Sequence, residues 1–174
     1  KMSEKSVGLI VLTEIPEMGL CVALRERGYF NFEKMQLESW PGACQVTVHG
    51  KLESDEDIHI AIYRELKEEL GEKFTQIFLS QLAYSPSSAG FEVLRLQKRN
   101  KEVVTFAIKV DPVFLKEIRL GPESGSIRFL RQCEINNIVD IALFNKIEGV
   151  PSRKTIAMFP DEKEAVVKAF ALFS

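Results

Sequence analysis

Three glutamates lie close together in one acidic segment of the chain, at Glu65, Glu68 and Glu69. Residues three and four positions apart are neighbours on a helix, so a helical segment would place these carboxylates in one sector. Like charges at that spacing repel one another, and a hard divalent cation with oxygen ligands would offset the repulsion. Arg64 can reach Glu68 one turn further on and hold that carboxylate in place. The segment therefore indicates a divalent metal site.

The helix that would carry these carboxylates has recognisable ends. Ser54 is predicted to be its N-cap, Asp57 stands at the capping-box position, and Gly71 is predicted to end the helix. Apolar residues recur every four positions and predict one buried stripe, at Ile58, Ile62, Leu66 and Leu70. The carboxylates border that stripe, so we expect them at the edge of the core.

The residues on either side of this segment distinguish it from an ordinary charged helix. Gly50 is followed by Glu56 six residues later and by Arg64 eight residues after that, before the glutamates and Gly71. The eight matching positions are expected by chance in about one chain in 10⁶ or fewer. The series reproduces the Nudix signature G-x5-E-x7-R-E-U-x-E-E-x-G-U and departs from it only at Glu72, where an apolar residue is usual.

The chain thus resembles the Nudix hydrolases, and the resemblance implies a fold and an activity. Members of this family fold as an α/β/α sandwich around a mixed sheet. They use Mg²⁺ or Mn²⁺ to direct water onto the phosphorus of a nucleoside diphosphate that is linked to another group. The expected function is therefore Mg²⁺-dependent hydrolysis of such a diphosphate linkage, in a small molecule that could resemble ADP-ribose. Homodimers are frequent in the family.

The resemblance also implies roles for the residues of the signature, which spans residues 50–72. Glu65 would serve as the general base in addition to binding metal, although the base differs among members of the family. Arg64 and Glu56 would orient the metal ligands. The implied ligands are three side chains and one backbone carbonyl: Glu65, Glu68, Glu69 and Gly50. Lys51 would contact a phosphate oxygen.

Residues outside the signature match further features of the family. Glu123 stands six residues before Phe129, where the family often supplies another carboxylate for the metal and for catalysis. Arg25 and Arg27 end the second predicted strand, where an arginine often contacts phosphate or base. Pro86 follows the signature in a Ser-rich turn and matches a proline of Nudix enzymes that act on ADP-ribose. Arg25, Arg27 and Pro86 are therefore predicted to bind substrate.

The composition limits the classes of protein to which the chain can belong. A net charge of −2 over 174 residues argues against nucleic-acid binding, and no run approaches the roughly 18 apolar residues of a membrane span. The three cysteines lack C-x-x-C spacing, which predicts reduced thiols in a cytoplasmic protein. Residues 1–6 are polar and are predicted to be disordered, before a single domain over residues 7–174.

Hydrophobic periodicity predicts the remaining elements. Predicted strands cover residues 7–15, 20–25, 43–49, 75–84, 91–97, 103–110 and 126–130. Residues 28–39 are predicted to form a loop. Predicted helices cover residues 111–119, 134–141 and 161–173, in addition to the acidic helix. This order favours an α+β or mixed α/β fold in one domain.

Two other functions stay open on the sequence alone. Trp40-Pro41-Gly42 before a strand and an acidic helix also resembles isopentenyl-diphosphate isomerase, which shares the fold. That enzyme places a reactive cysteine where His49 stands here, and Cys44 falls five residues too early. The other alternative is a Nudix-fold module that binds a nucleotide without cleaving it, although such a module has no physical need for clustered like charges. His59 is predicted to be a surface residue and His49 to have a structural role.

Overall fold

The computed structural model describes residues 4–84 and 91–174, and in these ranges the chain alternates strands with a few helices. The strands are β1 Glu4–Ile15, β2 Gly19–Arg27, β3 Phe30–Asn31, β4 Gln36–Leu37, β5 Cys44–Gln45, β6 Val48–Lys51, β7 Phe91–Lys98, β8 Lys101–Val110, β9 Ser124–Arg131, β10 Ile138–Asp140 and β11 Ile156–Met158. The α-helices are α1 Ile58–Leu70, α2 Glu72–Tyr84 and α3 Pro160–Phe173. No helix in the described ranges combines the length and apolar character that crossing a membrane requires.

A mixed sheet of seven strands forms the centre of the fold, in the order β5-β2-β1-β8-β7, with β6 beside β1 and β9 beside β2. Strands β1 and β8 run parallel, whereas β1 pairs antiparallel with both β2 and β6. Strand β6 pairs with residues 6–9 of β1 and β2 with residues 11–15, so the start of β6 lies where β2 leaves β1. The site described below forms there.

Both faces of the sheet are covered, which explains the continuous apolar run in β1. Successive side chains of a strand point to opposite faces, and residues 6–13 of β1 are all buried. Ile10 and Leu12 pack in a core cluster with α3, whereas Leu9 and Val11 pack in a second cluster with α1 and α2. The architecture is the expected α/β/α sandwich.

Residues 75–84 form a helix, so the prediction of a strand there was wrong. Phe74 and Phe78 are four residues apart, and both are buried in the cluster that contains Leu70 of α1. Gly71 ends α1 as predicted, with a φ of 92°, and its carbonyl accepts a hydrogen bond from the Thr75 hydroxyl at 2.8 Å. The left-handed backbone at Gly71 turns the chain so that α2 begins immediately after α1.

The start of α1 also differs from the prediction. Asp57, and not Ser54, is the N-cap, because its carboxylate accepts a hydrogen bond from the His59 N–H at 2.8 Å. Ser54 and Asp55 lie in a turn before the helix. The acidic residues of this segment therefore precede the first helical turn.

Several smaller boundaries differ as well. The predicted strand 43–49 is two short strands, β5 and β6, which pair with different neighbours. The predicted loop 28–39 contains the hairpin β3–β4, the predicted helix 134–141 is a 3₁₀ helix followed by β10, and β11 was not predicted. Strand β1 begins at Glu4, so residues 4–6, which were predicted to be disordered, belong to it. The hairpin β7–β8, a 3₁₀ helix within residues 111–119 and the closing helix α3 are confirmed.

Candidate active site

Helix α1 presents two of its glutamates to the edge of the core. Glu65 and Glu69 are 8% and 4% exposed, whereas the side chain of Glu68 is 58% exposed. All three line an open pocket of about 640 Å³, together with Gly50, Lys51 and Glu123. The structure therefore brings these predicted residues to one pocket, in which Glu65 and Glu69 are the buried carboxylates.

Gly50 lies directly against Glu65. A Cβ at residue 50 would fall 1.9 Å from both Cδ and Oε1 of Glu65, so any larger residue would force the Glu65 carboxyl to move. Gly50 is held there by its pairing with Val7 across β6 and β1. Gly50 therefore leaves the space that the Glu65 carboxyl occupies beside the strand.

Arg64 connects the signature to the loop that precedes α1. Its Nε and Nη2 donate to the two carboxylate oxygens of Glu56 at 2.9 Å each, and its Nη1 donates to Glu65 Oε1 at 2.7 Å. Its Nη2 also donates to the Lys51 carbonyl at 2.8 Å. The predicted contact with Glu68 is longer, at 3.7 Å. Arg64 therefore orients mainly Glu56 and Glu65, and its hydrogen bonds lower the pKa of Glu56.

Arg25 occupies the interior of the site. Its side chain is 3% exposed, and its guanidinium lies 2.8 Å from Glu69 and 3.3 Å from Glu123. Nη1 also donates to the Ser124 hydroxyl at 2.9 Å, and Nη2 to the Gln45 side-chain carbonyl at 3.0 Å. Arg25 thus bridges α1 and the loop before β9, and in this arrangement it neutralises carboxylates that were predicted to bind metal.

Burial dominates the electrostatics of the two inner glutamates. It raises the pKa of Glu69 to about 8, even though Arg25 opposes the shift and the His49 N–H donates to Glu69 Oε2 at 3.1 Å. Burial also raises the pKa of Glu65, against the opposing effect of Arg64. Removal from water penalises the charged form of each carboxylate more than the nearby arginines favour it. Further positive charge in the pocket would stabilise both carboxylates.

The remaining predicted residues lie at the rim or farther away. The exposed Lys51 ammonium pairs with Glu4 at 3.0 Å. Arg27 lines the pocket and pairs with Glu38 at 3.6 Å. Pro86 lies outside the described residues. His59 is exposed as predicted, and burial lowers the pKa of His49 to about 4, so its imidazole is neutral.

Sequence reasoning missed two groups that shape the site. Gln45 and Ser124 fix the Arg25 guanidinium, and no local pattern marks either residue. The β3–β4 hairpin contributes pocket-lining residues from a segment that was predicted to be a loop. One signal was available there, because the Asn31 side chain accepts hydrogen bonds from the N–H groups of Glu33 and Lys34, a turn for which asparagine is favoured.

The oxygen donors of the pocket suit a hard divalent cation by their chemistry, since carboxylates and a backbone carbonyl are the ligands that Mg²⁺ prefers. Among the described residues, however, no three acidic, histidine or cysteine side chains converge as a group able to hold a metal ion. The arginines stand between the carboxylates instead. The oxygen donors are therefore of the kind that binds a hard divalent cation. The side chains of the pocket must move for such a cation to bind.

No protein-family model matches the sequence, and no curated protein matches it. Solved structures do match the fold. A MutT/nudix family protein from Enterococcus faecalis is 15% identical with a TM-score of 0.60, over 99% of this chain and 62% of that chain. This chain thus spans less than two thirds of that protein's length.

Two further matches cover nearly all of both chains. The NUDIX domain of NrtR from Shewanella oneidensis, solved with ADP ribose, is 11% identical with a TM-score of 0.57, over 100% of this chain and 90% of that chain. An Ap4A hydrolase from C. elegans, solved as a binary complex, is 15% identical with a TM-score of 0.53, over 98% and 96%. Identities this low establish the fold alone, and the chain accordingly has a Nudix-type fold.

Proposed function

We propose that this chain is a Mg²⁺-dependent hydrolase that cleaves the diphosphate linkage of a nucleoside diphosphate derivative. The observation that carries the proposal is the pair of buried carboxylates, Glu65 and Glu69, held at the edge of an open pocket next to Gly50. Burying two carboxylates in one pocket is costly, and although Arg25 pairs with Glu69 and Arg64 with Glu65, burial still raises the pKa of both. A site used for divalent-cation chemistry has a physical reason to keep them.

Four side chains and one carbonyl would hold Mg²⁺ or Mn²⁺: those of Glu65, Glu68, Glu69 and Glu123, and the carbonyl of Gly50. When bound, such an ion neutralises charge on the diphosphate and acidifies a water molecule. Glu68 and Glu123 are the more exposed members, at 58% and 31% of the side chain, and have the most freedom to turn toward the buried pair. Any displacement of Arg25 from Glu69 would free that guanidinium for a phosphate oxygen.

The protein's own groups can carry the proton transfer and the positioning. Glu65 is suited to act as general base, because burial raises the pKa of its carboxyl above the ordinary value and so makes the carboxylate more basic. Arg64 would keep that carboxylate oriented through its 2.7 Å hydrogen bond. Arg27 and Lys51 line the pocket, where their charges would attract the phosphates of a small-molecule substrate.

The substrate class is supported by the nature of the matched structures. One of them was solved with ADP ribose and another is an Ap4A hydrolase, and both of these compounds contain adenosine attached to a phosphate chain. We extend this class to the present chain, with a derivative such as ADP-ribose as the first compound to test.

The isomerase alternative loses support from the position of Cys44. This residue is fully buried in the cluster under α3, and burial raises the pKa of its thiol to about 11. A thiol in that environment is inert. Trp40, the other feature of that resemblance, packs edge-on against Phe159, so the Trp-Pro-Gly segment has a structural role.

The test is a hydrolysis panel with Mg²⁺ that contains ADP-ribose, NADH, diadenosine polyphosphates and nucleoside triphosphates. Release of nucleoside monophosphate or phosphate from at least one compound, abolished by a chelator, is the expected result. The Glu65→Gln variant serves as the inactive control, because an amide cannot act as a general base. Its amide oxygen can still accept the hydrogen bond from Arg64, so the fold should be retained. Binding of a compound by calorimetry without turnover would overturn the proposal in favour of a nucleotide-binding module. Turnover that is unaffected by the chelator would overturn the metal requirement.

A further inference from the structure

Arg25 lies between two carboxylates, in the position that a bound cation would take. Its guanidinium is 2.8 Å from Glu69 Oε1 and 3.3 Å from Glu123 Oε1, and its side chain is only 3% exposed. One carboxylate comes from α1 and the other from the loop before β9, and the same guanidinium compensates both. A single positive charge therefore stands where the proposed function places a divalent ion.

Both oxygens of the buried Glu69 carboxylate already have a partner. Oε1 pairs with Arg25 Nη2, and Oε2 accepts a hydrogen bond from the His49 N–H at 3.1 Å. The His49 N–H belongs to the backbone of β6, which pairs with β1, so it cannot withdraw without disrupting the sheet. Arg25 contributes a side chain, which can rotate. A cation that binds Glu69 must therefore replace Arg25, because two positive groups at one buried carboxylate repel each other.

The other contacts of Arg25 allow such a movement. Nη2 also donates to Gln45 Oε1 at 3.0 Å, and Nη1 donates to Ser124 Oγ at 2.9 Å. Each terminal nitrogen thus has one neutral and one acidic partner, and the neutral partners can anchor the guanidinium when the acidic contacts break. Among the residues that the structure describes, none accepts a hydrogen bond from the buried Arg25 Nε. A buried donor without a partner costs free energy, so the two carboxylates must offset that cost.

We propose that Arg25 is a displaceable counter-ion, which balances Glu69 and Glu123 until a divalent cation binds and then gives up its contact with Glu69. Arg25 would stabilise the metal-free fold. It would also lower the affinity for the cation, because the cation must break the ion pair before it can bind. This inference rests on the proposed function for the location of the metal site.

Calorimetric titrations with Mg²⁺ test the inference in wild type and Arg25→Gln, together with thermal unfolding. A pH of 9 limits competition from protons, since burial raises the pKa of Glu69 to about 8. We expect Arg25→Gln to bind Mg²⁺ about 5- to 150-fold more tightly, the range typical of coupling between two bound groups. Without Mg²⁺ its melting temperature should fall by about 6 °C or more. The same concentration of Mg²⁺ should raise the melting temperature of Arg25→Gln more than that of wild type.

Two variants serve as controls. Arg25→Lys keeps the positive charge, so its Mg²⁺ affinity should stay nearer to that of wild type than to that of Arg25→Gln. Arg128→Gln removes an arginine that lies 3.7 Å from Glu26, and Glu26 points to the opposite face of the sheet from its neighbour Arg25. Arg128→Gln should therefore lose stability with no change in Mg²⁺ affinity. Unchanged or weaker Mg²⁺ binding by Arg25→Gln would overturn the inference, because Arg25 would then orient the ligands and not compete with the cation.

A crystal structure of the wild type with Mn²⁺ gives a second test that does not depend on the folding of any variant. We expect Mn²⁺ on Glu69, with the Arg25 guanidinium beyond the distance of an ion pair, about 4 Å, from that carboxylate. Mn²⁺ on Glu69 with Arg25 still paired to it would overturn the inference, and so would a pocket that binds no Mn²⁺.

Failure of this inference can be separated from failure of the proposed function. Mg²⁺-dependent hydrolysis by a protein whose Arg25 stays on Glu69 would refute the inference alone. Displacement of Arg25 by the cation in a protein that hydrolyses nothing in the panel would refute the hydrolase alone.

Discussion

The close approach of Gly50 to Glu65 makes Gly50→Ala an informative substitution. The added Cβ would lie 1.9 Å from the Glu65 carboxyl and 2.5 Å from its Cγ. These atoms belong to the end of a flexible side chain, so we expect Glu65 to turn aside and the backbone of β6 to stay in place. The substitution should therefore displace one carboxylate without unfolding the protein.

The size of the effect follows from the size of that displacement. Carbon atoms in contact lie about 3.5–4.0 Å apart, so the carboxyl group must move by roughly 1.5 Å or more. A misplacement of about 1 Å in an active site can lower the rate about 100-fold. The same movement breaks the 2.7 Å hydrogen bond from Arg64 to Glu65. We accordingly expect turnover to fall by about 100-fold or more.

The assay compares steady-state turnover of the best substrate with Mg²⁺ in wild type, Gly50→Ala and Gly125→Ala. Gly125 is the control because its added Cβ would meet only ordinary contacts, the nearest at 3.5 Å from the Arg27 carbonyl oxygen. Thermal unfolding of all three variants should agree within a few degrees. Wild-type turnover in a folded Gly50→Ala protein would refute the placement of Glu65 at the reaction centre.

Substitutions at Glu123, Arg64 and Glu162 test other parts of the account. Glu123→Gln should reduce turnover clearly but less than loss of Glu65 or Glu69, because Glu123 is more exposed and its amide can still accept from Arg25; an unchanged rate would show that it is not a ligand. Arg64→Lys should weaken Mn²⁺ binding by about 10–100-fold, as measured by electron paramagnetic resonance, because an ammonium cannot replace the paired hydrogen bonds to Glu56. An unchanged affinity would show that Arg64 does not orient the ligands. The free energy of unfolding of Glu162→Gln, measured in urea, should rise relative to that of wild type between about pH 4.5 and 7; a constant difference over that range would contradict the raised pKa of Glu162.

The sign of the Glu162 prediction follows from its raised pKa. Burial raises it from 4.5 in the unfolded chain to about 7 in the folded one, so the folded state holds this proton more tightly. The resulting contribution to stability is fully present below pH 4.5 and is lost as the pH rises through 7. Glutamine does not titrate and therefore provides the reference.

The part of the site on α1 could be predicted because its signals are local. Glu65 and Glu69 lie one helical turn apart, and their spacing to Gly50 is fixed by the short segment between β6 and α1. The resulting prediction placed these residues together in one pocket, as the structure does. Glu123 was located as well, through its spacing to Phe129 in the resemblance.

Other features depend on contacts that no short window of sequence contains. Arg25 meets Glu123 across 98 positions of the chain, so its role as a buried counter-ion could not be deduced from the end of a predicted strand. The error in α2 has a different cause. Short apolar runs such as Ile77-Phe78-Leu79 do not distinguish strand from helix, and the helix is stabilised by burial of Phe74 and Phe78 beside Leu70.

The most direct test of the hydrolase proposal is a Mg²⁺ titration of turnover in wild type and Glu69→Gln. Wild type should need the cation and saturate with it, while Glu69→Gln should lose several orders of magnitude in turnover at every Mg²⁺ concentration and retain its fold by circular dichroism. A folded Glu69→Gln protein that turns over substrate like wild type, with the same dependence on Mg²⁺, would contradict the assignment of the buried carboxylates to metal chemistry.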